Sequence, residues 1–288
     1  MTSKTWFITG SSRGFGREWA LAALERGDRV AATAREVASL ADLVAAHGEA
    51  VLPIALDVTD RDAVQRAVDE AVEHFGRLDV VVNNAGYGLF GMVEEVSEHQ
   101  ARAQLETNFF GALWVTQAAL PHLRAAGSGH IIQVSSIGGI TAFPGLGMYH
   151  ASKWALEGLT QSLAAEVVDF GITVTLVEPT GYGTDWAGAS AVRTDPLPDY
   201  EPVRERAAAR RAAAIGRRGD PTATRAAILA IVDAEAPPLR IFFGDGPLAT
   251  ATAEYASRLE VWRAWEPVSI AAHGNPADRT CHDHRLDA

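Results

Sequence analysis

The chain has 288 residues, of which 48% are hydrophobic and 21% charged, with 26 glycines. This length supports a substantial core in one domain, and the composition excludes disordered, collagen-like and low-complexity classes. A net charge of −11 repels phosphates and argues against nucleic acid or an anionic membrane as partner, and a single cysteine, Cys281, excludes an intrachain disulfide.

The first residues run straight into an apolar strand without the pattern of a secretory signal, and no apolar run approaches the ~20 residues that span a bilayer, so a cytoplasmic protein is expected. Apolar runs at residues 6–9, 29–34, 51–56, 80–82, 130–134, 173–177 and 240–243 read as seven short buried strands. Helical spacing occupies 16–25, 61–75, 101–123, 152–168 and 223–234. Strands alternating with helices pair in parallel through right-handed crossovers. The expected fold class is therefore α/β, a Rossmann-type doubly wound, seven-stranded parallel sheet with helices on both faces, as a single domain over residues 1–275. Residues 180–219 interrupt the rhythm with Gly, Pro, Ala and Arg. They follow a strand end, where lids sit, and are expected to form a mobile substrate loop or lid. Residues 276–288 read as a flexible polar tail.

The first strand leads into Thr9-Gly10-Ser11-Ser12-Arg13-Gly14-Phe15-Gly16 and then a helix. Gly10 permits the tight turn, Gly14 lets the backbone approach a pyrophosphate, and Gly16 allows close packing where the positive end of the helix dipole begins. Ser12, Arg13 and Phe15 belong to the same cradle. The second strand ends in Ala34-Arg35, without the acid that would bond an NAD ribose. Arg13 and Arg35 can instead fork onto a 2′-phosphate, so NADP(H) is the expected cofactor. Further along, Tyr149 and Lys153 stand four residues apart and share one helix face. An ammonium beside a phenol is expected to lower the phenol pKa from ~10 towards neutrality, as a general acid/base requires.

Taken together, these motifs resemble the classical short-chain dehydrogenase/reductase family over residues 4–243. The glycine turn matches TGxxxGxG, Asn83-Asn84-Ala85-Gly86 matches NNAG, and Ser136 with Tyr149 and Lys153 matches Ser and YxxxK. Asn108 stands at the family's helix asparagine. The resemblance implies Asn108, Ser136, Tyr149 and Lys153 as catalytic residues, with Asn108 holding a helix kink and a proton path. It favours Ser136 over Ser135 by the interval to Tyr149. It also implies cofactor contacts at Asp57, Val58, Asn83, Ala85, Gly86, Pro179, Thr180, Gly181 and Thr184, besides Tyr149 and Lys153. Here Pro179-Thr180-Gly181 replaces the family's usual Pro-Gly.

Leu89, Phe90, Phe143, Leu146, Tyr182 and Trp186, with Ser136 and Tyr149, are the expected substrate surroundings, and they suit a bulky or apolar ketone or aldehyde. Residues 137–159 are similar to the steroid and retinol dehydrogenase branch. Two alternatives stand beside this reading: a ketoreductase acting on carrier-bound acyl chains, docked by Arg204, Arg206, Arg210, Arg211, Arg217 and Arg218, and a non-catalytic NADP-sensing regulator. Cys281-His282-Asp283-His284 gathers metal-type side chains but lacks a second ligand group at zinc spacing, so no metal is expected. His150 reads as structural. The helices carrying Asn108 and Tyr149 hold Trp114, Leu156, Leu159 and Leu163, and a homodimer or homotetramer is expected through them.

Overall fold

A computed structural model of the chain describes residues 3–188, 190–214 and 218–274. The tail at 276–288, the Cys281 to His284 cluster, Arg217 and the side chains of Arg210 and Arg211 lie outside the described residues.

Seven parallel strands form one sheet in the order β3-β2-β1-β4-β6-β7-β9. They are β1 (Thr5–Ile8), β2 (Arg29–Ala34), β3 (Val51–Ala55), β4 (Val80–Asn83), β6 (Gly129–Val134), β7 (Ile172–Pro179) and β9 (Arg240–Phe243). Alternate residues of each strand feed two separate cores, as a sheet buried on both faces requires. Trp6 and Ile8 of β1 join Trp19, Ala20, Leu24, Ile228 and Ile231 from α1 (Gly14–Glu25) and α8 (Thr224–Asp233). Phe7, between them, joins Val64, Val68, Val115, Leu123 and Leu163 from α3 (Arg61–Phe75), α5 (Gly111–Ala126) and α6 (Gly147–Val167). Each fully buried large side chain contributes about 1.5–3 kcal/mol. The strand order reverses between β1 and β4, which places a crevice at the carboxyl ends of those two strands.

Four features depart from the sequence expectations. The helix expected over 101–123 is divided into α4 (Glu98–Leu105), a π turn at Glu106–Phe110 and α5. A short helix, α2 (Ala41–His47), was not anticipated. The excursion over 180–219 holds β8 (Val192–Arg193), which pairs with β5 (Leu89–Phe90) in a second small sheet, and α7 (Glu201–Ala214). Glu95 explains the order in this stretch. Its buried carboxylate accepts from Leu197 N at 2.9 Å, Thr194 Oγ1 at 3.0 Å and Met92 N at 2.8 Å, and pairs with Arg204. Burial opposes charge on Glu95, but these donors outweigh it and hold the carboxyl down at about 2.

Finally, the compact α/β unit ends at Pro247, and a second unit follows. Within that second unit, α9 (Pro247–His273) exposes Tyr255, Leu259, Trp262, Trp265 and Ile270. Apolar residues on all sides of α9 give no single helical stripe, which hid it from periodicity. Among the described residues no helix is long and apolar enough to cross a membrane.

Candidate active site

The crevice is built from the turns after β1 and β4. Gly14 has φ of +58°, a left-handed conformation that favours glycine. At Gly16 a methyl group would lie 2.4 Å from Asn84 Nδ2 and 2.5 Å from Gly10 O, so only glycine lets the start of α1 approach the turn. Asn84 fastens the two turns together. Its Nδ2 donates to Thr9 O at 2.8 Å and Gly10 O at 3.1 Å, while Thr9 Oγ1 accepts from Asn84 N at 2.9 Å and Ala85 N at 3.0 Å. Sequence reasoning had no role for Asn84 or Thr9, although NNAG contains the first.

The amino end of α1 lacks both a side-chain cap and an acid in its first turn, whereas Asp60 caps α3 and Ser97 caps α4. Arg13 is its N-cap residue. The uncapped N–H groups and the helix dipole there fit a dinucleotide pyrophosphate. Ser12 is half-buried, and Phe15 stacks on Trp19 at 5.5 Å. Arg13 and Arg35 are exposed, and Arg13 lies 3.7 Å from Asp185. Asp57 is exposed and accepts from Thr59 N and Oγ1 through one oxygen, while Val58 is buried. Ala85 and Gly86 remain accessible. Asn83 differs: its side chain turns inward to donate to Thr116 Oγ1 at 3.0 Å, which leaves its backbone to face a ribose. Thr180 N donates to Phe243 O at 3.0 Å, fixing the turn through Pro179, Thr180 and Gly181 to the edge strand, and Thr184 lies over Gly14.

Four residues converge at the other end. Tyr149 is 6% exposed at the start of α6, and Ser136 hydrogen-bonds it while also accepting from Gly138 N at 3.0 Å. Lys153 Nζ donates to Val134 O at 2.7 Å and lies 5.9 Å from the centre of the Tyr149 ring. Asn108 occupies the π turn, its Oδ1 accepting from Tyr87 N at 3.0 Å and its Nδ2 donating to Tyr87 O at 3.0 Å and Ser152 Oγ at 3.1 Å. The kink expected at Asn108 is thus a π turn, and such turns gather at functional sites.

Burial works against the fall expected for Tyr149 from Lys153 and a nicotinamide cation. Burial pushes the phenol up to about 12 against the weaker opposing bond from Ser136. Burial likewise pushes Lys153 down to about 8, opposed by the charge of Glu157. The ammonium faces a carbonyl rather than the phenol oxygen, and desolvation is the larger effect. His150 is structural in its geometry: Nδ1 lies 2.9 Å from Gly138 O, and Nε2 accepts from Phe143 N at 2.9 Å. These bonds brace the turn over residues 138–143, and burial lowers the His150 pKa.

Trp186 covers Tyr149 with ring centres 4.9 Å apart and touches Phe90 at 5.1 Å. Leu89 is buried beneath, Leu146 is half-buried at the start of α6, and Phe143 is 43% exposed against His150. Tyr182 does not join this group. It packs edge-on against Phe15 at 4.9 Å because its backbone bridges to Gly219. Leu156 and Leu163 are buried in the chain's own cores, so they offer no surface for pairing. Arg204 is committed to Glu95 and Glu201, which removes it from the basic docking group.

A family model described as short chain dehydrogenase matches residues 4–193. The chain is 43% identical over 277 residues to Oxidoreductase BOA17 of Botryotinia fuckeliana, covering 94% of this chain and 99% of that one. A short-chain dehydrogenase from Streptomyces avermitilis superimposes with a TM-score of 0.87 at 39% identity, covering 94% of this chain and 99% of its own. An alcohol dehydrogenase from Thermococcus sibiricus, solved with 5-hydroxy-NADP, gives 0.71 at 26% identity, covering 84% and 97%. A short-chain dehydrogenase/reductase from Burkholderia phymatum, solved with NAD, gives 0.75 at 26%, covering 87% and 92%.

Proposed function

Because the chain belongs to the short-chain dehydrogenase/reductase family of oxidoreductases, we propose that it transfers a hydride between NADP(H) and a carbonyl or secondary alcohol carbon, with Tyr149 as general acid/base. The observation that carries this reading is the convergence of Ser136 and Lys153 on a buried Tyr149 at the mouth of a dinucleotide crevice. The nicotinamide, when bound, supplies the hydride. Tyr149 gives its proton to the substrate oxygen, Ser136 steadies that oxygen, and Lys153 holds the nicotinamide ribose. A phenol that burial keeps protonated at neutral pH has the proton that a carbonyl oxygen needs when it is reduced.

Arg13 and Arg35 support NADP over NAD, since both are exposed and able to fork onto a 2′-phosphate. A bulky or apolar ketone or aldehyde suits the wall of Phe90, Trp186 and Leu89. The 180–219 excursion is the proposed lid, with Trp186 as its contact to Tyr149. A cytoplasmic homodimer or homotetramer is the proposed setting, to be checked by light scattering; a monomer at working concentration refutes it.

The decisive experiment presents NADPH and NADH to purified protein with a panel of ketones, aldehydes, steroids and acyl thioesters, and Tyr149→Phe as control. The expected result is apolar ketone or aldehyde reduction with higher kcat/KM for NADPH, lost in the variant. Equal or better use of NADH overturns the cofactor choice, preference for carrier-linked thioesters moves the substrate to the acyl class, and undiminished Tyr149→Phe overturns the proton donor. Nucleotide binding without turnover of any substrate would point to a sensing role.

A further inference from the structure

One turn beyond Lys153 on α6, Glu157 enters a cluster that the proposed reaction does not use. Its Oε2 accepts from Arg240 Nε of β9 at 3.1 Å. The same Nε lies 3.5 Å from Glu178 Oε1 of β7, and Arg240 Nη2 donates to Gln161 Oε1 at 2.9 Å. The Glu157 and Glu178 side chains are 9% and 1% exposed, whereas Arg240 at the sheet edge is 35% exposed. Ser135 Oγ and the Oε1 atoms of both glutamates are buried without a well-formed hydrogen bond. One guanidinium thus serves two desolvated carboxyls, and like charges so placed do not both ionise readily.

The protonation pattern agrees with this geometry. Burial, and then the charge of Glu157, push Glu178 up to about 8. Burial also raises Glu157, but Ser135, Arg240 and Lys153 all favour its ionised form. Among the described residues no carboxylate is hydrogen-bonded to Lys153; the charge that opposes its desolvation is that of Glu157.

We propose that Glu157 is a positioning residue for the reaction, the buried counter-charge that keeps Lys153 an ammonium ion, and that Glu178 and Arg240 set the ionisation of Glu157 from its other side. This inference rests on Lys153 acting as proposed above. The groups facing Lys153 and Glu157 are Tyr149 and Gln161 on α6, Ser135 and Ser136 after β6, Glu178 on β7, Arg240 on β9 and neutral Asn108 in the π turn. His150 is committed to Gly138 and Phe143.

The test is the pH profile of kcat/KM for NADPH-driven reduction, together with the infrared band of protonated carboxyls in the enzyme alone. Glu157→Gln removes the counter-charge and is expected to move the alkaline limb down by about one pH unit. Glu178→Gln leaves the charge of Glu157 in place, so the limb stays at the wild-type pH, and it removes a carboxyl band titrating at about 8. Arg240→Gln raises Glu157 and moves the limb down; at a part-exposed strand edge it serves if Glu157→Gln does not fold. An unmoved limb in folded Glu157→Gln or Arg240→Gln overturns the proposal, as does a limb in Glu178→Gln that falls as far as the one in Glu157→Gln. If Tyr149→Phe retains turnover, the reading of the active centre fails by itself. The infrared titration does not depend on turnover, and its absence in the wild-type chain overturns the carboxyl pair.

Discussion

The turn after β1 and the excursion after β7 leave the same edge of the same sheet and reach towards the same crevice. The first, with the opening residues of α1, runs over residues 9–16 and takes its form from local rules: glycine conformations, an uncapped helix end and the Asn84 clasp. The second runs over 180–219, and its form comes from Glu95, a residue about a hundred positions earlier in the chain. A short segment can be held by its own backbone preferences, whereas a long one carries more conformational entropy and needs buried, charge-assisted anchors. The Arg13 to Asp185 pair and the contact of Thr184 with Gly14 join the two regions.

The largest expected effect lies at Tyr149, which Trp186 of the excursion covers. Tyr149→Phe is expected to lower kcat by about 10²–10⁴-fold while leaving cofactor affinity and Tm near the wild-type values. Parallel kinetics and calorimetry separate that outcome from simple misfolding. Gly16→Ala comes next. Alanine gains about 1 kcal/mol of helix propensity, but its methyl group meets Asn84 and Gly10 O and costs about 1–3 kcal/mol. Loss of nucleotide affinity measured by calorimetry, with the 180–219 region unchanged in hydrogen exchange, is the expected pattern.

Glu95→Ala probes the other region. Its expected result is faster proteolysis within 180–219 and a higher KM for the ketone, with nucleotide affinity little changed. If nucleotide binding collapses equally, the two regions are not independently held. A smaller effect is expected from Arg13→Ala or Arg35→Ala, each weakening NADPH by about tenfold through loss of a charge-assisted bond. NADH binding and stability should stay the same, as exposed cations contribute little to folding.

The smallest expected effect is a slope of stability with pH. Burial lowers the folded pKa of His150, and it pushes His130 down to about 4. Below their ordinary value near 6.5 the unfolded chain binds protons that the folded chain refuses. Their contribution is therefore complete above that value and is lost as pH falls towards the lowered values, with a slope of at most about 1.4 kcal/mol per pH unit for each group. Urea melts of His150→Gln at neutral pH and near pH 5 should show a flatter dependence than wild type; an identical slope removes His150 from the account.

What the sequence determined by itself was whatever local chemistry dictates. Buried parallel strands read as apolar runs, glycines mark the turn after the first strand, and a Tyr and Lys four apart share a face, so all seven sheet strands and the residues proposed for the reacting centre were legible. The tertiary structure decided whatever depends on distant partners. Burial of Tyr149 raised its pKa where the neighbouring lysine suggested a fall. Asn83 turned into the core, Tyr182 joined Phe15 instead of Tyr149, and Leu156 and Leu163 proved to be core residues. Glu95 anchors residues 194–204 from about a hundred positions away, and Glu157, Glu178 and Arg240 came together from three elements. Desolvation and long-range ion pairing depend on what surrounds a side chain in space, and no spacing along the chain records that.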